Sequence, residues 1–259
     1  MSRNAARRNA ARLTRAAAAL LGLGALAYTA WVLEVVVRTG LDPVRTYVSE
    51  LAAADQPLGG LFRATDLTAG LLVLAGALTG LSLAGSRRPW TALGWLALAV
   101  FGAATVADSR LPLSCTPTVD PECAARETAG LVPATHTAHA VSSTLAMLGA
   151  LTAMVALTVA ARRYGLWAPL ARTGPALVVL EFAATAWTLA AVAAFEAGRG
   201  TWSLGAGQRL QVLLVAVWLA VLAGAVAREA AGAGTGTGAG AGAGGTAAAG
   251  ETTRKRETR

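Results

Sequence analysis

The two histidines of the chain, His136 and His139, lie three residues apart and are followed by Ser142 and Ser143. Because residues at i and i+3 share a face of a helix, both imidazoles are expected on one face, with the serines continuing it. Histidine binds transition metals and transfers protons near neutral pH, and a serine hydroxyl becomes a nucleophile beside a base. The segment therefore combines the residue types of a metal site, a proton relay and a nucleophilic site.

Carboxyl groups from other segments are expected at the same depth as the histidines. Asp108 ends one apolar run, Asp66 lies near the start of another, and Glu50 lies in the loop before it. A metal-dependent hydrolase would bind Zn²⁺ through His136, His139 and Asp108. Glu50 or Asp66 would then be the general base for a metal-bound water. A metal-free version would use Ser142 or Ser143 as nucleophile and a histidine as its base.

Two interpretations without hydrolysis remain open for this polar cluster. Ionisable groups in a membrane are costly unless they find partners, so the histidines could be neutral side chains that hydrogen-bond to Asp108, Glu50 or loop carbonyls. Such a cluster would be structural or would bind a ligand, and we favour this interpretation. Alternatively, titration of the histidines would serve a proton-coupled transporter or a pH sensor.

The elements that carry these residues are predicted to be membrane spans. Hydrophobic residues make up 55% of the 259 positions and charged residues 14%, and the mean hydropathy is +0.53. An apolar helix needs about 20 residues to cross a hydrocarbon core. Six runs are long enough: Ala16–Val37, Leu58–Leu83, Trp90–Ala107, Thr137–Ala160, Pro175–Phe195 and Gln208–Ala227. The fold class is therefore all-α, a polytopic transmembrane bundle of six helices.

The distribution of charge predicts how the bundle is oriented. Of the 22 Lys and Arg residues, 15 lie before the first span, in the second and fourth connections, or after the last span, whereas 10 of the 14 acidic residues lie at the opposite end. Basic residues resist translocation, so both termini are expected in the cytoplasm, with the protein in the inner (plasma) membrane. The net charge of +8 then indicates attraction to anionic lipids at the cytoplasmic face. No basic patch interleaved with aromatic residues favours nucleic-acid binding.

Three regions follow from this topology. Residues 1–15 form a basic cytoplasmic arm, and residues 16–228 form the six-helix domain, with outer loops at 38–57, 108–135 and 196–207. Residues 229–259 are almost wholly Gly, Ala and Thr before a short basic end, so a disordered cytoplasmic tail is expected.

Three further residues carry specific expectations. Cys115 and Cys123, both in the loop 108–135, are expected to form a disulfide, which is stable only on an oxidising side of the membrane. Glu181 lies inside the fifth span, deeper than a side chain reaches back to water. Such an acid either relays a proton or binds a cation, or it is a protonated group that hydrogen-bonds to a neighbouring helix.

Two segments resemble a known family of bacterial multi-pass membrane proteins. The stretch YVSELAAADQPLGGLFRATDLTAGLL contains a Ser-Glu-Leu, a proline and an aromatic residue that enters a glycine-containing helix. The stretch DSRLPLSCTPTVDPEC, followed by HTAHAVSS, has paired cysteines and a His-x-x-His that opens the next helix. This pattern, over Leu41–Ala160, resembles the domain-of-unknown-function family nine-nine-eight. The resemblance implies an integral membrane protein and assigns no activity.

Overall fold

The computed structural model describes residues 3–85 and 87–235, and these residues form helices and connections without a strand. The α-helices are α1 (Arg3–Tyr28), α2 (Gly59–Leu83), α3 (Pro89–Asp108), α4 (Pro121–Thr128), α5 (Ala134–Tyr164), α6 (Ala168–Glu196) and α7 (Leu204–Thr235). Two short 3-10 helices, Ala30–Val35 and Val48–Ala52, lie between α1 and α2. Side chains are described from residue 5 to residue 232, apart from residue 86.

Local sequence signals set several helix ends. Pro89 and Pro121 occupy the first positions of α3 and α4, where the missing proline N–H has no helical acceptor. The Asp120 side chain accepts a hydrogen bond from the Glu122 backbone N–H at 2.9 Å, which caps α4. Gly165 ends α5 with a φ of 65°, a left-handed conformation that glycine adopts without strain.

Six helices are long and apolar enough to cross a membrane: α2, α3, α5, α6, α7, and α1 continued by the first 3-10 helix. The expected all-α bundle with six spans is therefore confirmed. Several helices extend beyond the runs predicted from the sequence, and α1 begins at Arg3, well before Ala16. α6 begins at Ala168 and contains Pro175 within it, and α7 continues to Thr235, beyond the expected start of the tail at residue 229. The rest of the predicted tail, 236–259, lies outside the described residues.

The spanning helices pack in a closed ring. Neighbours follow the order α1, α2, α3, α5, α6 and α7, and α7 packs back against α1. Large buried side chains fill the ring, including Phe101, Leu157 and Trp218. Helices α2 and α3 approach closely at glycine, because a Cβ added at Gly102 would lie 2.6 Å from the Leu74 backbone nitrogen. Close approach of backbones is how helices gain packing energy where lipid removes the hydrophobic driving force.

The two ends of the bundle differ in composition. We call one the disulfide end, which carries the 3-10 helix Val48–Ala52, α4 and the start of α5. The other, the arginine end, carries the start of α1, the α2–α3 turn, the α5–α6 turn and the end of α7. The histidines, serines and carboxyl groups singled out above lie toward the disulfide end, except Glu181, which lies in the middle of α6.

Candidate ligand-binding site

Asp108, the last residue of α3, is the centre of a hydrogen-bonded cluster with α5. Its Oδ1 accepts a hydrogen bond from Ser142 Oγ, and its Oδ2 accepts one from Ser143 Oγ at 2.9 Å. His139 Nδ1 lies 3.5 Å from Asp108 Oδ1 and 2.9 Å from the Leu111 carbonyl oxygen. A carbonyl only accepts, so Nδ1 carries the proton, and Nε2 faces Ser143 Oγ at 3.3 Å. We call these four side chains the Asp108 cluster: Asp108, His139, Ser142 and Ser143.

The cluster geometry favours a hydrogen-bonded network over an activated serine. In a nucleophilic triad the hydroxyl donates to the histidine, and the acid orients the histidine from its far side. Here Ser143 is closer to Asp108 Oδ2, at 2.9 Å, than to His139 Nε2, at 3.3 Å. The Ser143 proton therefore goes to the carboxylate, and the imidazole does not act as its base in this arrangement.

His136 has different partners from His139 despite the shared helix face. Its Nδ1 accepts a hydrogen bond from the Ser114 backbone N–H at 3.1 Å, and Ser114 Oγ lies 2.9 Å from the same nitrogen. Its Nε2 faces Glu127 Oε1 at 3.4 Å. His136 thus holds the connection from α3 to α4, which carries Cys115 and which we call the disulfide loop, against α5. The three predicted zinc ligands do not converge, and residues 3–85 and 87–235 contain no group of three His, Cys or acidic side chains that could hold a metal ion.

Glu50 fastens two loops together at the disulfide end. It is fully buried, and its carboxylate accepts hydrogen bonds from the Tyr47 N–H at 2.9 Å, the Thr118 N–H at 2.8 Å and the Thr118 hydroxyl. Burial raises the pKa of Glu50, and the hydrogen bonds from Thr118 and Tyr47 offset only part of that increase. These donors lie in two connections, so Glu50 joins the connection between α1 and α2 to the disulfide loop.

Cys115 and Cys123 form the expected disulfide, with their Cα atoms 6.0 Å apart. The bridge joins the segment after α3 to α4 and closes a loop that His136 and Glu50 anchor from two sides. The loop thus closes over the end of the bundle near the Asp108 cluster.

Arg63 and Asp66 lie three residues apart in α2, a spacing that favours an ion pair, but the two side chains do not pair with each other. The Arg63 guanidinium donates instead to the carbonyl oxygens of Ala52 at 2.8 Å and Ala53 at 3.2 Å. These carbonyls lie at the end of a 3-10 helix, where backbone oxygens lack helical donors. Asp66 is left without a hydrogen bond or ion pair to any described residue, and its carboxyl group lines a cavity.

The cavity, which we call the acidic cavity, has a volume of about 160 Å³ and lies between α1, α2, α3, α5 and α7. Its polar lining side chains are Ser49, Asp66, Thr105, Asp108, His139, Ser143, Gln208 and Gln211. Its aromatic lining side chains are Tyr28, Trp31, Phe62 and Phe101. None of the described residues that line it is Lys or Arg, and the imidazole of His139 lies beside Asp108, so Asp66 has no basic side chain as its partner. Two carboxyl groups from separate helices therefore face one small space.

Glu181, in α6, connects to this cavity through Gln211. The Glu181 side chain is fully buried, and in the described part of the chain neither carboxyl oxygen has a hydrogen-bond partner of good geometry. The nearby Gln211 side chain interacts with Glu181 and donates to Thr185 Oγ1 at 2.8 Å. Since Gln211 also lines the acidic cavity, one amide side chain lies between the cavity and the intramembrane acid.

The sequence pattern did not predict the ion pair between Glu34 and Arg209. Arg209 Nε and Nη2 each lie 2.6 Å from an oxygen of Glu34, and the Arg209 guanidinium also donates to the Thr46 carbonyl at 2.9 Å. Both side chains are buried. The sequence does contain an indication of this pair. Each residue is a single charge at the end of an apolar run, and opposite charges at membrane depth tend to pair. Gln208 and Gln211, spaced i,i+3 in the last span, carried a similar signal.

Six long apolar helices, five of which surround a cavity with polar side chains, define the chain as a multi-pass membrane protein with a site inside its helix ring. Residues 21–225 match the family described as a protein of unknown function, DUF998, and the chain belongs to that family. The resemblance noted in the sequence is thereby confirmed, and the match includes residues of all six spans. The chain matches no curated protein and no solved structure.

Proposed function

We propose that this protein binds a small organic cation in the acidic cavity, and that the cavity faces the outer side of a bacterial inner membrane. The observation that carries the proposal is Asp66, a carboxyl group in the cavity that has no hydrogen-bond or ion-pair partner among the described residues. A carboxylate at membrane depth is costly unless it meets a partner. A cationic ligand between Asp66 and Asp108 supplies that partner, and no lining Lys or Arg competes with it.

The size and surface of the cavity narrow the ligand class. A dry cavity of about 150 Å³ holds benzene, so a volume of about 160 Å³ suits a ligand of roughly six to ten non-hydrogen atoms. Tyr28, Trp31 and Phe101 line the cavity, and aromatic rings attract a cation through their quadrupoles. The supported class is therefore a small primary or quaternary amine with an apolar body.

A matched pair of ligands tests the proposal. Benzylamine and benzyl alcohol have the same number of non-hydrogen atoms and differ in charge. Isothermal titration of the purified full chain is expected to show benzylamine binding at least about tenfold more tightly, a difference of about 1.4 kcal/mol. Equal binding of the two compounds, or binding of neither compound and no binding of choline, would reject the proposal.

A matched pair of variants tests the assignment to the cavity. The Asp66→Asn variant removes the unpartnered charge and is expected to abolish the preference for benzylamine. The Asp55→Asn variant removes the same charge from an exposed loop position at the same end and is expected to leave the preference unchanged. Loss of the preference in both variants would show a diffuse charge effect rather than a site.

Proton-coupled transport of the cation is a second candidate, favoured by the link from the cavity through Gln211 to Glu181. A buried acid beside the binding site can exchange a proton when the cation enters or leaves. Uptake of radiolabelled benzylamine into proteoliposomes is expected to follow an imposed pH gradient and to stop in the Glu181→Gln variant. Binding at equilibrium by that variant is expected to persist. Gradient-independent uptake, or normal uptake by the variant, would reject coupling and leave the binding proposal intact.

A further inference from the structure

A second cavity, at the arginine end, has a volume of about 1270 Å³ and is separate from the acidic cavity. Four arginines of α1 and one beside α3 line it: Arg7, Arg8, Arg12, Arg15 and Arg88. We call this space the arginine vestibule. One acidic side chain, Glu229 of α7, also lines it. The charge of the vestibule is thus opposite to that of the acidic cavity, and the same ligand would not suit both.

The guanidinium groups of the vestibule are available for an external anion. Within the described part of the chain, none of the five arginines forms an ion pair; Arg15 donates to the Ala11 carbonyl at 3.3 Å, and Arg88 lies 5.9 Å from the Tyr164 ring centre. All five are exposed. Guanidinium groups match the paired oxygens of phosphate and carboxylate in planar hydrogen bonds, so the vestibule suits an oxyanion.

The floor of the vestibule is apolar and contains two unusual polar atoms. Trp95 and Trp167 meet edge to face with ring centres 5.9 Å apart, and both line the space. Trp167 Nε1 and Thr91 Oγ1 are buried at this floor without a hydrogen-bond partner among residues 3–85 and 87–235. Trp167 also has a φ of 46°, a left-handed conformation that is unfavourable for a residue with a Cβ. The chain thus holds a strained tryptophan and unused donors under a ring of arginines.

We propose that the arginine vestibule binds one anionic phospholipid, with the headgroup phosphate on the arginines and an acyl chain against the tryptophan floor. The membrane position decides for a lipid rather than a free phosphate. The arginines of α1 directly precede its apolar part, so they lie at the level of lipid headgroups. A vestibule with both a phosphate-binding rim and an apolar floor fits an amphiphile better than an inorganic ion. The vestibule is the specific site for the anionic lipid that the charge distribution indicates only generally.

Native mass spectrometry of the detergent-purified full chain, titrated with phosphatidylglycerol or phosphatidylcholine, tests this inference. One retained phosphatidylglycerol per chain is expected, with at least about a tenfold preference over phosphatidylcholine. The double variant Arg12→Gln and Arg88→Gln is expected to lose that preference. The matched control, Arg162→Gln and Arg163→Gln, removes two exposed arginines of α5 that do not line the vestibule and is expected to keep it.

Three outcomes would overturn the inference. These are equal retention of the two lipids, an equal loss in both double variants, and displacement of the lipid by glycerol phosphate at the concentration of the lipid itself. The last outcome would show that the headgroup alone is recognised and that the apolar floor has no part. Benzylamine binding at the acidic cavity, measured on the same preparations, separates this result from the proposed cation binding. Circular dichroism of each variant establishes that its helices are retained.

Discussion

The Asp108 carboxylate depends on hydroxyl donors from the next helix, and this dependence predicts the effect of a single substitution. Ser142→Ala removes the donor to Oδ1 at a buried position. The loss of a hydrogen bond to a charged carboxylate is expected to lower the free energy of unfolding by about 1.5–3 kcal/mol. Thermal unfolding in detergent measures the loss. Thr144→Val is the matched control, because the Thr144 hydroxyl bonds only to the Ala140 carbonyl of its own helix at an exposed position. An equal loss in the control would contradict the assigned role of Ser142.

Glu50 predicts a pH dependence whose sign follows from its burial. Its pKa in the folded protein is raised above the ordinary value of 4.5, so the folded state binds the proton more tightly than the unfolded state does. The resulting stabilisation is complete below 4.5 and is lost as the pH rises through the raised folded value. We expect the free energy of unfolding of the wild type to fall over that window relative to the Glu50→Gln variant.

Glu50→Gln is also expected to be less stable than the wild type below this window, by about 1–3 kcal/mol. In the variant, the NH₂ group of the glutamine side chain takes the place of a carboxyl oxygen. It would then face the backbone N–H group of Tyr47 or Thr118, which needs an acceptor. Chemical denaturation at a series of pH values, in one detergent, gives both quantities. A constant difference between the two proteins at all pH values would show that Glu50 does not titrate in this range.

At the scale of elements, the Glu34–Arg209 pair joins the 3-10 helix after α1 to the start of α7. Removing one partner leaves the other charge buried, so Glu34→Ala is expected to cost about 3–5 kcal/mol. Glu122→Ala breaks the exposed Glu122–Arg126 pair, at 3.1 Å, and is expected to have no measurable effect. The double variant Glu34→Leu and Arg209→Met should recover most of the loss, since apolar side chains need no partner. Failure of the double variant to recover would assign the stability to the carbonyl contacts of Arg209 instead.

At the level of helices, the sequence predicts which segments span the membrane but not where every helix ends. Uninterrupted apolar length identifies the six spans, because a polar backbone can cross lipid only as a helix or a closed barrel. It does not identify where a helix ends beyond its apolar part, so α6 begins at Ala168 rather than Pro175. Helix periodicity places His136 and His139 on one face but does not reveal their partners. The fold of the disulfide loop decides those, by bringing Ser114 to His136 and Leu111 to His139.

For the site as a whole, the sequence predicts which segments meet better than it predicts what each side chain does. Asp66, Asp108, His139 and Ser143 line one cavity, as expected from their common depth in the membrane. Glu50 does not line it, because loop N–H groups and a hydroxyl take up its oxygens. The contacts of Arg63 with carbonyls depend on the bend of the preceding loop, which no periodic pattern encodes.

At the scale of the whole molecule, the separation of charge between the two ends predicts a single orientation in the membrane. The arginine end carries a cluster of basic residues, and basic residues resist translocation across the membrane. We therefore expect this end in the cytoplasm and the disulfide end outside. Because Cys115 and Cys123 are joined and the described residues contain no free cysteine, an introduced cysteine supplies a reactive thiol. Leu131→Cys at the disulfide end should react with a membrane-impermeant maleimide in intact spheroplasts. Arg163→Cys, in the last turn of α5 at the arginine end, should react only after the membrane is opened.

The reverse labelling pattern would contradict the orientation and would change the function with it. The disulfide would then lie in a reducing compartment, where thiols are kept free. The acidic cavity would draw its cation from the cytoplasm, and the arginine vestibule would face the outer leaflet. The preference of benzylamine over benzyl alcohol would survive that result, because it depends on Asp66 and the cavity alone. The direction of any proton-driven movement through Glu181 would be inverted, so labelling and uptake measured together fix both the orientation and the direction of coupling.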